Sequence, residues 1–251
     1  FKHFKKTYDE NILDIKGGLN DVVMNNSPID IDKLIEGTNE ILTANRNSLQ
    51  LFDMLHSMRQ FDDLTYVHSV NVALIASILG QWLKFSEKDI RILTISGLLH
   101  DIGKIMIPNE ILTKPGKLTV AEYNIMKQHV NFGYEKVKNQ NIDIRIKEAC
   151  LLHHEKCDGT GYPFGLKSDH IPAVAKIIAI ADVYDAMTSA RVYRGALCPF
   201  EVIDTMYKDA FTKFEPEYIL PFLKNVASSY INNDVRLSDG RIGKVVLINE
   251  N

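Results

Sequence analysis

The chain has 251 residues, of which 45% are hydrophobic and 24% charged, enough for one large domain or for a domain with an appendage. With 29 Lys and Arg against 32 Asp and Glu, its formal charge of −3 gives no general attraction to a nucleic acid polymer or an acidic membrane. An anionic substrate must therefore be drawn by a local cluster or by bound metal. Three cysteines, Cys150, Cys157 and Cys198, form an odd set without CxxC spacing, which argues against a disulfide scaffold or a zinc knuckle.

The opening "FKHFKKTYDENILD" lacks the apolar core of a secretory signal, and no window has the length of a membrane span, so a cytoplasmic chain without membrane contact is expected. A start at Phe1 suggests a piece of a longer protein with an upstream sensor module. Over 30–59, Ile31, Leu34, Ile35, Ile41, Leu42, Leu49, Phe52 and Leu55 recur at spacings of about three and four, the pattern of an amphipathic helix. Thr38 and Asn45 interrupt a coiled-coil seam, which favours packing on the main domain over a homodimer through this N-terminal helix.

A mostly apolar helix is predicted over 66–83, and Ser86 with Asp89 caps the next, "SEKDIRILTISGLLHDIG", which Gly103 is expected to stop. Pro108, Pro115 and Gly116 mark a loop. Thr119 and Glu122 have capping-box spacing and open a helix expected to carry His129. Further helices are predicted over 142–154, 173–189, 200–210 and 217–230, and "SDGR" separates "VRL" from "IGKVVLI" as in a β-hairpin. The expected organisation is all-α, with an N-terminal helical segment at 1–61, a main domain at 62–232 and a hairpin at 233–251.

His100 and Asp101 sit at the end of an apolar helix, where a buried charge must be paired or metal-bound. Alone, "HD" is a common dipeptide. However, His68 precedes His100 by 32 residues, His129 follows Asp101 by 28, His153 follows His129 by 24, and Asp182 follows His154 by 28. Each interval suits one helix plus one connection, so successive helices of a bundle return ligands to one point. Five imidazoles and two carboxylates overfill one ion and suit two with a bridging carboxylate. His153 and His154 stand about 100° apart on a helix and are expected to serve adjacent metals. His3, His56 and His170 fall outside the interval pattern and read as surface or packing residues.

"HSVNVA" at 68–73, "LLHDIGKI" at 98–105, "HHEKCDGTGYPFGL" at 153–166, "IP" at 171–172 and "ADVYDAMTSARVYR" at 181–194 together resemble the HD-domain phosphohydrolases. Within them they resemble the HD-GYP subgroup, which hydrolyses cyclic di-GMP and takes its name from the element at Gly161, Tyr162 and Pro163. The resemblance runs from about 62 to 200. It implies the HD-domain helical bundle and metal ligation by His68, His100, Asp101, His129, His153, His154 and Asp182, with Asp101 bridging. Some members hold a third metal through a glutamate four residues before the first histidine; Leu64 stands there, so two divalent ions are expected. Nitrogen and oxygen donors favour iron or manganese.

Two such ions lower the pKa of water to about 7, supply a bridging hydroxide and neutralise a phosphate oxygen. Asp101 and Lys104 are the expected catalytic residues, the lysine placing its ammonium on the phosphate as charge grows. The resemblance assigns the second phosphate to Arg191 and Arg194, although Ala190 and Val192 depart from the family pattern. Tyr162 is expected to offer a ring and hydroxyl to the nucleotide, and Asp185, one turn after Asp182, to face substrate. Gly159 and Gly161 are expected to permit unusual backbone angles. The implied reaction opens cyclic di-GMP to pGpG, with GMP as the alternative end product and 3′,3′-cyclic GMP-AMP as the alternative substrate. A non-catalytic receptor is disfavoured by the full ligand set, and a di-iron oxygenase by the GYP loop and the arginine pair.

Overall fold

The structure is a computed structural model that describes residues 2–44, 51–52, 55, 64–189, 197–237 and 239–248. Helix α1, Lys2–Asn25, buries Phe4, Tyr8, Ile12, Ile15, Leu19 and Val22 along one stripe, an amphipathic face that the sequence reading did not resolve into a separate helix. Helix α2, Ile31–Ala44, begins where expected and buries Leu34, Ile35 and Ile41; most of the expected continuation to 59 lies outside the described residues.

Helix α3, Leu64–Trp82, is the central element, with Val70, Val72, Ala73 and Leu74 fully buried. Burying each Leu, Ile or Val contributes about 1.5–3 kcal/mol, so packing fixes the helix that carries His68. Helix α4, Glu87–Leu99, is capped as predicted, Ser86 Oγ accepting from the Asp89 N–H at 3.2 Å. The two helices approach closely at Gly97, where an added Cβ would lie 2.4 Å from Ala73 Cα.

Helix α4 ends at Leu99 rather than at Gly103. A 3₁₀ turn over Ile102–Met106 follows, and Gly103 is needed there for contact: a Cβ would lie 1.9 Å from the His129 carbonyl oxygen. After the short α5, Asn109–Leu112, the Thr119–Glu122 capping box opens α6, Val120–Met126, and Lys114 Nζ also bonds Glu122 at 2.6 Å. The helix expected to run on through His129 breaks at Lys127 and Gln128, and His129 instead starts α7, His129–Val137.

The remaining helices, α8 (Ile144–Leu152), α9 (Ala173–Thr188), α10 (Pro199–Asp209) and α11 (Pro216–Ser229), match their expected positions to within two residues. Strands β1, Asp234–Arg236, and β2, Ile242–Lys244, pair antiparallel with Val235 opposite Gly243, a hairpin shorter than the sequence suggested. One hydrophobic cluster runs from Phe4 in α1 to Tyr230 after α11. The three cysteines are free, and among the described residues no helix is long and apolar enough to cross a membrane.

Candidate metal centre

Five places in the bundle deliver the seven expected ligands to one buried region. His68 comes from α3, His100 and Asp101 from the end of α4, His129 from the start of α7, His153 and His154 from the turn after α8, and Asp182 from α9. One ligand atom from each of His68, His100 and Asp101 lies within 4.8 Å of the others, and the same holds for Asp101, His129, His153 and His154. Asp101 belongs to both groups. Its Oδ2 is 3.2 Å from His100 Nε2 and 3.6 Å from His68 Nε2, while its Oδ1 is 3.3 Å from His129 Nε2 and 3.7 Å from His153 Nε2. Asp182 also spans the two, with Oδ1 3.0 Å from His68 Nε2 and Oδ2 3.8 Å from His154 Nδ1.

Hydrogen bonds behind the rings fix which nitrogen faces inward. Nδ1 of His100 bonds the Gly97 carbonyl and that of His129 the Met126 carbonyl, each at 2.7 Å; Nδ1 of His153 lies 3.1 Å from the Ala149 and Cys150 carbonyls. Nδ1 of His68 bonds Asp185 Oδ2 at 2.7 Å. Carbonyl and carboxylate acceptors keep the proton on Nδ1, leaving the Nε2 lone pairs aimed at Asp101. Nε2 of His100 and Oδ1 of Asp101 are buried without a hydrogen-bond partner among the described residues. Burying such lone pairs is costly, and a divalent cation satisfies them.

Charge states agree with this reading. Burial pushes the His100, His129 and His154 imidazoles down, His129 to about 3, so they are neutral donors. Burial alone would raise Asp101, but the Lys104 ammonium beside it holds it well below the usual carboxylate range; Asp182 is likewise held low against burial by its bond to His68. Burial lowers His68, yet hydrogen bonds to Asp182 and Asp185 outweigh it and raise the imidazole to about 9, so without metal its Nε2 also carries a proton, toward Asp182, which a bound cation would displace. Lys104, in the 3₁₀ turn, sets its ammonium on Asp101 Oδ2 and keeps its side chain 20% exposed at the rim.

The loop after His154 packs over the second group. Tyr162 stacks on the His154 ring with centroids 4.7 Å apart at 27°, and its N–H bonds the His154 carbonyl at 3.2 Å. Burial pushes its phenol up, so it stays protonated. Glu155, a residue the sequence reading gave no role, is 4% exposed and accepts from the backbone N–H groups of Phe164, Gly165 and Leu166 at 2.6, 3.1 and 2.9 Å. Gly159 has φ +83° as expected. Gly161 serves otherwise: a Cβ there would lie 2.4 Å from Lys156 N and 2.5 Å from the His154 carbonyl oxygen, so close approach, not backbone angle, requires glycine.

Two expectations change. His153 and His154 fall in one ligand group rather than on adjacent metals, because α8 ends at Leu152 and both residues leave in a turn. Asp185 does not face substrate; it is 2% exposed behind His68, where it also accepts from Asn71 Nδ2 at 2.9 Å. Its signal in the sequence was the spacing of one turn from Asp182, which did not distinguish the inner from the outer side of the ligands. Arg191 and Arg194, with Ala190 and Val192, lie outside the described residues, as do His56 and the side chains of His3 and Leu64. His170 is exposed, as expected.

The profile of the HD domain family matches residues 35–218. The chain is 37% identical over 190 residues to the cyclic di-GMP phosphodiesterase PA4108 of Pseudomonas aeruginosa, covering 75% of this chain and 46% of that protein. It is 36% identical over 178 residues to a cyclic di-GMP phosphodiesterase of Thermotoga maritima, covering 70% and 48%. It is also 36% identical over 173 residues to the 3'3'-cGAMP-specific phosphodiesterase 1 of Vibrio cholerae, covering 68% and 38%. The chain thus spans about half the length of the curated relatives it matches. Among solved structures, Bd1817, an HDG"Y"P protein from Bdellovibrio bacteriovorus, superposes with a TM-score of 0.55 at 19% identity, covering 84% of this chain and 78% of that one, a likeness of fold.

Proposed function

We propose, from the premise that the chain belongs to the HD domain family, that it is a metal-dependent phosphodiesterase of the HD-GYP subgroup that opens cyclic di-GMP to linear pGpG, with GMP as the alternative end product. The observation that carries the reading is the placement of Asp101, whose two oxygens each face a separate group of histidine Nε2 atoms. That arrangement suits two divalent ions, with iron or manganese favoured by the mixed nitrogen and oxygen donors. Bound ions supply Lewis acidity and lower the pKa of water to about 7.

The chain's own residues supply the rest. His68, His100, Asp101, His129, His153, His154 and Asp182 would hold the ions. Lys104 lies at the rim of the same carboxylate, where its ammonium can transfer to a phosphate oxygen as negative charge develops. Tyr162, held flat on His154, presents a protonated hydroxyl and a ring edge to the nucleotide. Arg191 and Arg194 take the second phosphate in this reading. Residues 62–232 form the catalytic domain, 1–61 link it to an upstream sensor or to a second copy, and 233–251 cap it. The similarity to the Vibrio cholerae protein favours 3′,3′-cyclic GMP-AMP as the alternative substrate, since the two dinucleotides share ring and phosphates.

The test combines elemental analysis after anaerobic purification with chromatography of cyclic di-GMP products for wild type and Asp101→Ala. Wild type is expected to hold two ions per chain and release pGpG; the variant is expected to lose both metal and product. Metal-loaded wild type that binds cyclic di-GMP and yields no linear product would replace the enzyme with a receptor. More than two tightly held ions would overturn the inference from Leu64.

A further inference from the structure

Among the described residues helix α1 contributes no ligand to the candidate metal centre, yet a chain of side-chain hydrogen bonds joins it to one. The Tyr8 hydroxyl donates to Asn71 Oδ1 at 2.5 Å, Asn71 Nδ2 donates to Asp185 Oδ1 at 2.9 Å, and Asp185 Oδ2 accepts from His68 Nδ1 at 2.7 Å. Tyr8, Asn71 and Asp185 are 1%, 3% and 2% exposed, so water does not compete for these bonds. Ser189 Oγ, at 3.2 Å, is a further donor to Asp185 Oδ1.

Direction matters in this chain. An asparagine amide can present either end; with Oδ1 turned inward, Asn71 would set a lone pair against the Asp185 carboxylate. A hydroxyl donor on the far side selects the orientation that turns Nδ2 inward. Asp185, so held, keeps the proton on His68 Nδ1 and the ring's Nε2 lone pair toward Asp101 and Asp182.

We propose that Tyr8 is a positioning residue for His68, acting through Asn71 and Asp185, so that α1 sets the geometry of one half of the metal centre. The proposal rests on the metal-centre reading above. Other contacts hold α1 without touching the ligand chain: Tyr66 donates to Asn20 Oδ1 at 3.1 Å, and Lys136 Nζ donates to the Val23 carbonyl at 2.8 Å. They provide the control.

The full chain, metal-free, is titrated with Co²⁺ and followed by visible absorption, alongside turnover of cyclic di-GMP. Tyr8→Phe keeps the ring, which stacks on Phe4 with centroids 5.9 Å apart, and loses only the hydroxyl. It is expected to weaken Co²⁺ binding by about tenfold, the low end for loss of an outer partner. The ligand-field spectrum shifts, and kcat falls with KM unchanged. Asn71→Ala, which cuts the chain one link closer, weakens binding at least as much. Asn20→Ala lowers the thermal midpoint but leaves affinity and spectrum at wild-type values. Wild-type affinity and spectrum in Tyr8→Phe would overturn the relay alone, as would equal weakening by Asn20→Ala, which would reduce Tyr8 to helix docking. A wild type that binds no Co²⁺ would overturn the metal-centre reading and the relay with it.

Discussion

Lys104 and Glu155 are both charged side chains beside the ligands, and their surroundings assign them different work. Lys104 touches a ligand carboxylate from the exposed side, so its removal leaves the histidine donors in place. Lys104→Ala is expected to retain its metal by elemental analysis and to lose turnover by about 10²–10³-fold, the effect of deleting one electrostatic contact to a transition state. Turnover at the wild-type rate would remove the lysine from the reaction. Glu155 belongs to neither ligand group and gathers three successive backbone N–H groups of the GYP loop. In Glu155→Gln an amide NH₂ replaces one acceptor oxygen. At about 1.5–3 kcal/mol for each charge-assisted bond lost, the urea midpoint is expected to fall and KM for the cyclic dinucleotide to rise, while metal content holds. A wild-type KM would show that the loop keeps its shape without this clamp. The sequence displayed Glu155 in the motif but not its role, because three N–H donors nine to eleven residues away acquire a common target only when the loop closes.

Among the elements, the ligand-bearing helices were legible because their intervals repeat the length of one helix and one connection. Two caps, at Ser86 and Thr119, were equally legible since both are local hydrogen bonds. Helix ends set by tertiary contact were not: α4 stops before Gly103, and α6 breaks before His129, where the 3₁₀ turn and α7 press backbone to backbone. Gly97 shows the same physics inside a helix. An alanine there gains about 1 kcal/mol of helix propensity. Its Cβ would meet Ala73 Cα at 2.4 Å and Ala73 N at 2.6 Å, backbone atoms that cannot rotate away. Overpacking costs of about 1–3 kcal/mol outweigh the gain, so Gly97→Ala is expected to lower the urea midpoint. A raised midpoint would mean that α3 and α4 separate without cost and do not jointly fix His68 and His100.

For the molecule as a whole, the candidate ligands are drawn from α3, α4, α7, α9 and the turn after α8, so ions held at the centre would cross-link most of the bundle. Sequence intervals revealed that convergence; they did not reveal that α1 reaches His68 from behind, since the 3–4 spacing of Phe4, Tyr8, Ile12, Ile15, Leu19 and Val22 marks a buried face but not which polar atom on it meets Asn71. Convergence has a thermodynamic consequence. The unfolded chain scatters residues 68 to 182 and cannot assemble the centre, so a metal held there would bind the folded state and stabilise it by RT ln(1 + [L]/Kd), about 2.7 kcal/mol at a hundredfold excess over Kd. Chelation is expected to lower the thermal midpoint, and added Mn²⁺ to restore it with a dependence on concentration. Asp101→Ala, lacking the carboxylate common to both groups, is expected to show a midpoint insensitive to chelator. Equal midpoints for chelated and Mn²⁺-loaded wild type would separate the convergence of these side chains from metal binding, and would leave the inward-facing lone pairs of His100 and Asp101 without the cation that offsets their burial.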